Sequence, residues 1–170
     1  MYFPSVTIRP IQPEDAGELA ALYAANREFL APFEPIRPED FYTADGQRER
    51  LERQLADGTH PFAILDDGAI AGTISLFHIM REVLQSCTVG YWIDHAQNGR
   101  GLATGALEDV VAYAFGELAL HRVEAGTLLD NVASQRVLEK AAFERIGIAR
   151  RFLCINGEWR DFVLFQRVAD

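Results

Sequence analysis

The stretch Asp94-His95-Ala96-Gln97-Asn98-Gly99-Arg100-Gly101-Leu102-Ala103-Thr104 decides how this chain is read. It joins a strand-like run, Thr88 to Ile93 with the aromatic pair Tyr91-Trp92, to the strongest helical pattern in the sequence. In that pattern Leu107, Val110, Val111, Ala114, Phe115 and Leu118 fall on one stripe. Two glycines in a strand-to-helix turn let the backbone bend tightly and approach a ligand. The helix that follows presents unpaired N–H groups and a partial positive charge of roughly half an electron. Together these features make an anion seat, for which a pyrophosphate is a common occupant, and Arg100 adds a cation. An ordinary tight turn without a ligand is the alternative reading of the loop taken alone. The turn is not a P-loop, because no Lys-Ser or Lys-Thr follows its glycines. It matches the dinucleotide fingerprint only at Gly99 and Gly101, with Thr104 where a third Gly or Ala belongs.

Upstream, Val6 to Pro10 alternates like a short strand that stops at proline. Pro13, Glu14 and Asp15 suit a helix start, and Leu19, Leu22 and Tyr23 continue it to about Asn26. Pro32, Pro35 and Pro38 exclude regular helix over residues 31–40. A charged helix is expected from Asp45 to Asp57, with Leu51 and Leu55 facing inward. Residues 62–65 and 70–76 flank Asp66-Asp67-Gly68, a hairpin signal. Downstream, Arg122 to Leu129 reads as a strand and Asn131 to Ala142 as a helix resting on Val137 and Leu138. Phe143 to Cys154 and Trp159 to Val168 read as two strands about the turn Asn156-Gly157. The order is strand, two helices, three antiparallel strands, helix, strand, helix, two strands. This predicts one α/β domain over residues 1–170, a mixed, mostly antiparallel sheet with one βαβ crossover.

The 170 residues carry 16 Lys and Arg against 25 Asp and Glu, a formal net charge of -9 that excludes a general polyanion binder. No direct nucleic-acid partner is expected. Cys87 and Cys154 fit no disulfide framework, and His60, His95 and His121 fit no metal-ligand spacing, so no metal is expected. Met1 to Val6 lacks a secretory layout, and no apolar run approaches the roughly 20 residues of a membrane helix. The expectation is a cytoplasmic protein, a monomer or homodimer, with no membrane partner.

The segment Asn98-Gly99-Arg100-Gly101-Leu102-Ala103 resembles the Gln/Arg-x-x-Gly-x-Gly/Ala signature of the GNAT N-acetyltransferase superfamily, with Asn98 at the leading position. The similarity extends to the RimJ/RimL group of protein N-terminal acetyltransferases. It is carried by Gly90-Tyr91-Trp92-Ile93-Asp94, Leu120-His121-Arg122-Val123-Glu124-Ala125, Asn131-x-x-Ser134 and Gly157-Glu158-Trp159-Arg160-Asp161. The stretch Asn26 to Pro35 is closest to the RimJ branch. Two positions depart from the group: Ala142 stands where Gly is usual, and Leu153 where the RimL branch has an acidic residue proposed as base.

The resemblance implies the GNAT fold and acetyl-CoA as co-substrate. Its diphosphate would lie on Asn98, Gly99, Arg100, Gly101, Leu102, Ala103 and Thr104, and its pantetheine arm would lie by Asn131. A backbone N–H around Trp92-Ile93 would polarise the thioester carbonyl. Ser134 would stand near the departing thiolate, as proton donor or as hydrogen-bond partner. The amine would attack directly, leaving both cysteines as plain buried or half-buried thiols. The early loop residues Phe29, Phe33 and Glu34, with His78, Tyr91, Trp92 and Trp159, would line the acceptor slot. For Trp159 core packing is an equal reading, and for His78 a surface strand end. Candidate bases are Glu28, Glu34, His78, Glu158 and Asp161, or water reaching one of them. An N-terminal α-amine has a pKa of about 8 against about 10.4 for lysine, so it needs less help to lose its proton. The expected acceptor is the α-amine of a protein, a ribosomal protein or other basic N-terminus. A small-molecule amine and a non-catalytic CoA-binding module are the competing readings.

Overall fold

In this computed structural model, which describes residues 7–170, the hairpin at Asp67-Gly68 anchors the sheet. Both residues take positive φ (48° and 84°), which matches a two-residue turn to the twist of its strands. The turn links β2 (His60–Asp66) to β3 (Ala69–Met80), and β4 (Ser86–Ile93) runs antiparallel beside β3. β1 (Thr7–Pro10) pairs with the outer side of β2, where a closing proline leaves no inner ladder bond unmade. Val6 of the expected strand, and the Met1 to Val6 segment, lie outside the described residues.

After β4 come α4 (Leu102–Gly116), β5 (Arg122–Leu128), α5 (Val132–Lys140), β6 (Glu144–Ile155) and β7 (Glu158–Val168). The sheet order is β1-β2-β3-β4-β5-β7-β6. Among the described residues only the β4–β5 pair is parallel, with α4 as its crossover, as the sequence pattern predicts. A second positive-φ turn, Asn156-Gly157, closes β6 onto β7.

One face of the sheet carries α4 and α5. Leu107, Val110, Val111 and Ala114 are fully buried against Ile64, Ile74, Leu76 and Val123, while Phe115 and Leu118 are only partly buried. Burial of each large aliphatic side chain contributes about 1.5–3 kcal/mol. The other face carries α1 (Ala16–Ala25), the single turn α2 (Arg27–Leu30) and α3 (Ala44–Ala56), which enclose Leu19, Tyr23, Leu30, Phe41 and Leu51 over Ala63 and Ile70. Between α2 and α3 the three-proline segment is irregular, apart from a 3-10 turn at Glu39–Tyr42.

The inward face of α3 differs from expectation. Leu51 is buried, but Leu55 is 45% exposed, and Gln47 is the second inward residue. Gln47 tolerates burial because its Nε2 donates to the Phe41 carbonyl at 2.6 Å. Leu55 belongs to the last turn, beside Gln54 and Asp57 at a solvent-filled hollow. Leu129 falls outside β5 and is exposed. No helix among the described residues is long and apolar enough to cross a membrane.

Ala142 sits at φ 58°, a left-handed conformation that a Cβ penalises by about 1–2 kcal/mol. Glycine there costs about 0.5–1 kcal/mol in the unfolded chain. The balance favours glycine, so Ala142→Gly is expected to raise Tm by about 1–4 °C in calorimetry.

Candidate active site

The turn between β4 and α4 is held from below and open above. Asp94 accepts from the Ala96 N–H (3.2 Å) and starts a 3-10 turn at His95–Gln97. The buried Asn26, at the end of α1, bonds both Asp94 Oδ1 (3.1 Å) and the His95 N–H (2.9 Å). Gly99 and Gly101 take φ of 79° and 81°, which side-chain-bearing residues rarely adopt. Beyond them Gly105 N–H is the first to bond back into the turn, at Gly101 (3.0 Å). The N–H groups of Gly99, Arg100, Gly101, Leu102, Ala103 and Thr104 therefore have no protein acceptor among the described residues. A Cβ built on either glycine would meet nothing within 4 Å, so the space over the turn is clear. Six free amides at the start of a 15-residue helix suit an anion. The Arg100 guanidinium does not face that space freely: Asp66 and Gln97 hold it, leaving its backbone N–H as its offering.

The sheet opens beside this turn. β4 and β5 pair only from Ser86 to Thr88 against Arg122 to Glu124, although β4 continues to Ile93 and β5 to Leu128. The Asp94 N–H donates to Ala71 on the β3 side (2.7 Å). Successive N–H groups of a strand alternate in direction, so Trp92 also donates toward β3 while Tyr91 and Ile93 direct their amides into the opening. The amide to consider for a carbonyl in the gap is thus that of Tyr91 or Ile93, and not that of Trp92.

Across the opening stands the start of α5. Asn131 caps it by accepting from Ser134 N–H (3.2 Å). Ser134 Oγ lies 2.8 Å from Tyr91 Oη, close enough for either hydroxyl to donate, and the Ser134 carbonyl oxygen lies 3.3 Å from the same phenol oxygen as a competing acceptor for its one proton. Burial pushes the Tyr91 phenol up to about 12, against a smaller lowering by Ser134. It therefore stays protonated at neutral pH. This places the Tyr91 side chain on the α4–α5 face, with Tyr23 and its hollow on the other.

On the opposite face Trp92 is half-buried, with Nε1 donating to Tyr23 Oη (3.1 Å). Tyr23 borders a hollow of about 190 Å³ whose wall includes Arg27, Glu34, Arg37, Phe41 and Asn156. Of the proposed bases only Glu34 lines it; Arg37 Nε is 3.7 Å from its carboxylate, so the mouth is of mixed charge and not acidic. Asp161 is engaged by the Arg151 N–H (2.8 Å). Phe29 stacks on His95 with centroids 4.7 Å apart and touches Phe33 at 6.3 Å, outside the hollow wall. Trp159 is 63% exposed, which removes the core-packing reading. His78 is exposed at a bulge near the opposite end of β3 from Gly72, which pairs with Ile93; it joins a separate hollow with His60 and Arg81. Cys154 is exposed, not half-buried, while burial pushes the Cys87 thiol up to about 12 and keeps it unreactive.

Sequence reasoning missed two asparagines. Asn26 reads as a helix end, and its tie to the Asp94 turn spans 68 residues. Asn156 reads as half of a turn, yet its Oδ1 accepts from Ile36 N–H (2.6 Å) and its Nδ2 donates to the Glu34 carbonyl (3.4 Å). Only the side-chain amide at a left-handed turn hinted at this role.

A sheet that opens between an amide-rich turn and a hydroxyl pair, with an aromatic hollow behind, is arranged for group transfer from a phosphate-bearing donor. Residues 5–144 match the Acetyltransferase (GNAT) domain family. The chain is 45% identical to the probable N-acetyltransferase YjcK of Bacillus subtilis, over 92% of this chain and 90% of that protein. The crystal structure of ribosomal-protein-S5-alanine acetyltransferase from Vibrio fischeri superimposes with a TM-score of 0.92 at 31% identity, covering 100% of this chain and 96% of that one. Mycobacterium smegmatis RimJ in complex with CoA-disulfide gives a TM-score of 0.91 at 29% identity, covering 96% and 82%. The chain belongs to the GNAT acetyltransferase family, as an acetyl-CoA-dependent N-acetyltransferase related to the RimJ/RimL enzymes.

Gly101→Val is expected to abolish acetyl-CoA heats in titration calorimetry and, through backbone strain, to lower Tm by about 2–8 °C. Gly58→Val, at φ 77° with no atom within 4 Å of its Cβ and distant in sequence from the turn, carries the same strain as a control and should bind normally.

Proposed function

We propose that this enzyme transfers the acetyl group of acetyl-CoA to the α-amine at the N-terminus of a ribosomal protein, by direct attack. The observation that carries the donor half is the row of six free amides from Gly99 to Thr104, which would hold the coenzyme diphosphate. The pantetheine would then run into the opening between β4 and β5, past Asn131. The Ile93 or Tyr91 N–H would meet the thioester carbonyl, where a fixed donor stabilises developing negative charge. Ser134 would face the sulfur.

The acceptor half rests on three observations. One relative of known structure is a ribosomal-protein-S5-alanine acetyltransferase. An α-amine already has a sizeable neutral fraction near pH 7.5, so a partly buried carboxylate such as Glu34, acting directly or through water, meets the need. The net charge of -9 would favour the approach of a basic chain to the protein as a whole, the hollow itself being of mixed charge. Binding in the hollow would place that amine behind Trp92, on the face away from α4. A small-molecule amine is the alternative, since one fold serves many acceptors.

Incubation with acetyl-CoA and a panel of amines, read as loss of thioester absorbance, tests this. The expected result is turnover with a peptide carrying the S5 alanine N-terminus, faster than with polyamines or aminoglycosides. Preference for any of those small amines overturns the ribosomal assignment. Asn156→Gly keeps the turn but removes the clip on residues 34–36. It is expected to raise KM for the peptide about 3–10-fold, the worth of a lost hydrogen bond or two, with acetyl-CoA KM unchanged.

A further inference from the structure

The Tyr91 phenol is a buried hydroxyl that the proposed chemistry leaves without a task. It stands on β4 beyond the last β4–β5 pair, so it pairs with Ile74 of β3 on one side and borders the opening on the other. Its two polar contacts both go to one residue, Ser134: Oγ at 2.8 Å and the carbonyl at 3.3 Å. The Ser134 N–H is taken by Asn131 Oδ1 at 3.2 Å, so the first turn of α5 is fixed from both sides. A serine hydroxyl rotates freely unless something binds it, and a misdirected proton is of no use to a leaving group.

We propose that Tyr91 is a positioning residue for the proton donor on the sulfur side: its phenol donates to Ser134 Oγ across the open end of the sheet and turns the serine proton into the gap. This rests on the reading of Ser134 as the hydroxyl beside the thioester sulfur. The balance is simple. The amine nitrogen bonds to the acetyl carbon, the carbon–sulfur bond breaks, and its electron pair goes to sulfur. Ser134 passes its proton to that sulfur, the Tyr91 proton replaces it on Oγ, and the nitrogen, which must lose a proton on becoming an amide, returns one to Tyr91 through water. Thioester plus amine gives amide plus thiol, with no other reagent.

The arrangement also explains why a weak acid suffices. A proton donated to Oγ leaves the serine hydroxyl polarised toward the gap, while a phenol in this buried position keeps its own proton across the working pH range. A phenylalanine at position 91 would preserve the ring and its packing against the α4–α5 face but free the serine rotor.

A double-mutant cycle tests this on the intact enzyme, with Tyr91→Phe, Ser134→Ala and the pair. The rate is read as loss of thioester absorbance with the S5 N-terminal peptide, and again as acetyl-CoA hydrolysis with no amine present, which expels the same thiolate. Tyr91→Phe should lower kcat about 10-fold, leave acetyl-CoA KM and the acetyl-CoA-induced Tm shift unchanged, and add nothing in the Ser134→Ala background. Wild-type kcat in Tyr91→Phe, additive losses in the pair, or a raised acetyl-CoA KM at unchanged kcat each overturn the positioning role. Wild-type kcat in Ser134→Ala overturns the reading of Ser134 itself, and with it this inference. Losses in Ser134→Ala without coupling to Tyr91 overturn the inference alone.

Discussion

Two neighbouring strands that stop pairing halfway govern this molecule. β4 is bonded to β3 along its length and β5 to β7 along its length, so each strand is satisfied on one edge while their shared edge parts after Thr88 and Glu124. Gly72 holds the parting open. A Cβ there would stand 2.2 Å from the Trp92 carbonyl, so only glycine lets the end of β4 lie this close to β3 and away from β5. Unpaired amides inside a sheet are costly unless something else binds them. A gap of this kind belongs to a protein that fills it with a ligand's polar atoms.

In the proposed reading the split would also separate the two substrates. Side chains alternate along β4, so Tyr91 and Ile93 look toward α4 and α5 while Trp92 looks toward α1 and α3. The donor face is built from helix ends: the free N-terminus of α4 and the capped N-terminus of α5. The acceptor face is built from aromatic rings and an irregular, proline-broken segment. The proposed reaction would lie where one strand carries both faces within two residues, so that backbone geometry alone would register donor and acceptor to each other.

Local signals were strong in the sequence wherever one element sufficed. Asp67-Gly68 and Asn156-Gly157 announce their hairpins, the stripe of Leu107, Val110, Val111 and Ala114 announces α4, and Gly99 with Gly101 announces the anion turn. What remained hidden depends on residues far apart in the chain. The direction of the Tyr91 side chain follows from which face of β4 meets α5, and its link to Ser134 spans 43 residues. The exposure of Leu55 depends on where its packing partners end, and the capture of Arg100 depends on Asp66 being delivered by another strand. His78 and Trp159 looked available for a slot because residue type says nothing about which end of a strand they occupy.

The wall of the hollow has one more consequence. Residues 27–42 form no ladder with the sheet, and single asparagines tether this strap at its start and its middle: Asn26 to the Asp94 turn, Asn156 to Ile36 and Glu34. Its exposed side chains, apart from core residues such as Leu30 and Phe41 and from Phe29 on His95, can be exchanged without disturbing any strand register or the donor half. Descendants of such a protein can therefore change clientele by redrafting one short passage of chain, while the machinery that handles the thioester is inherited intact.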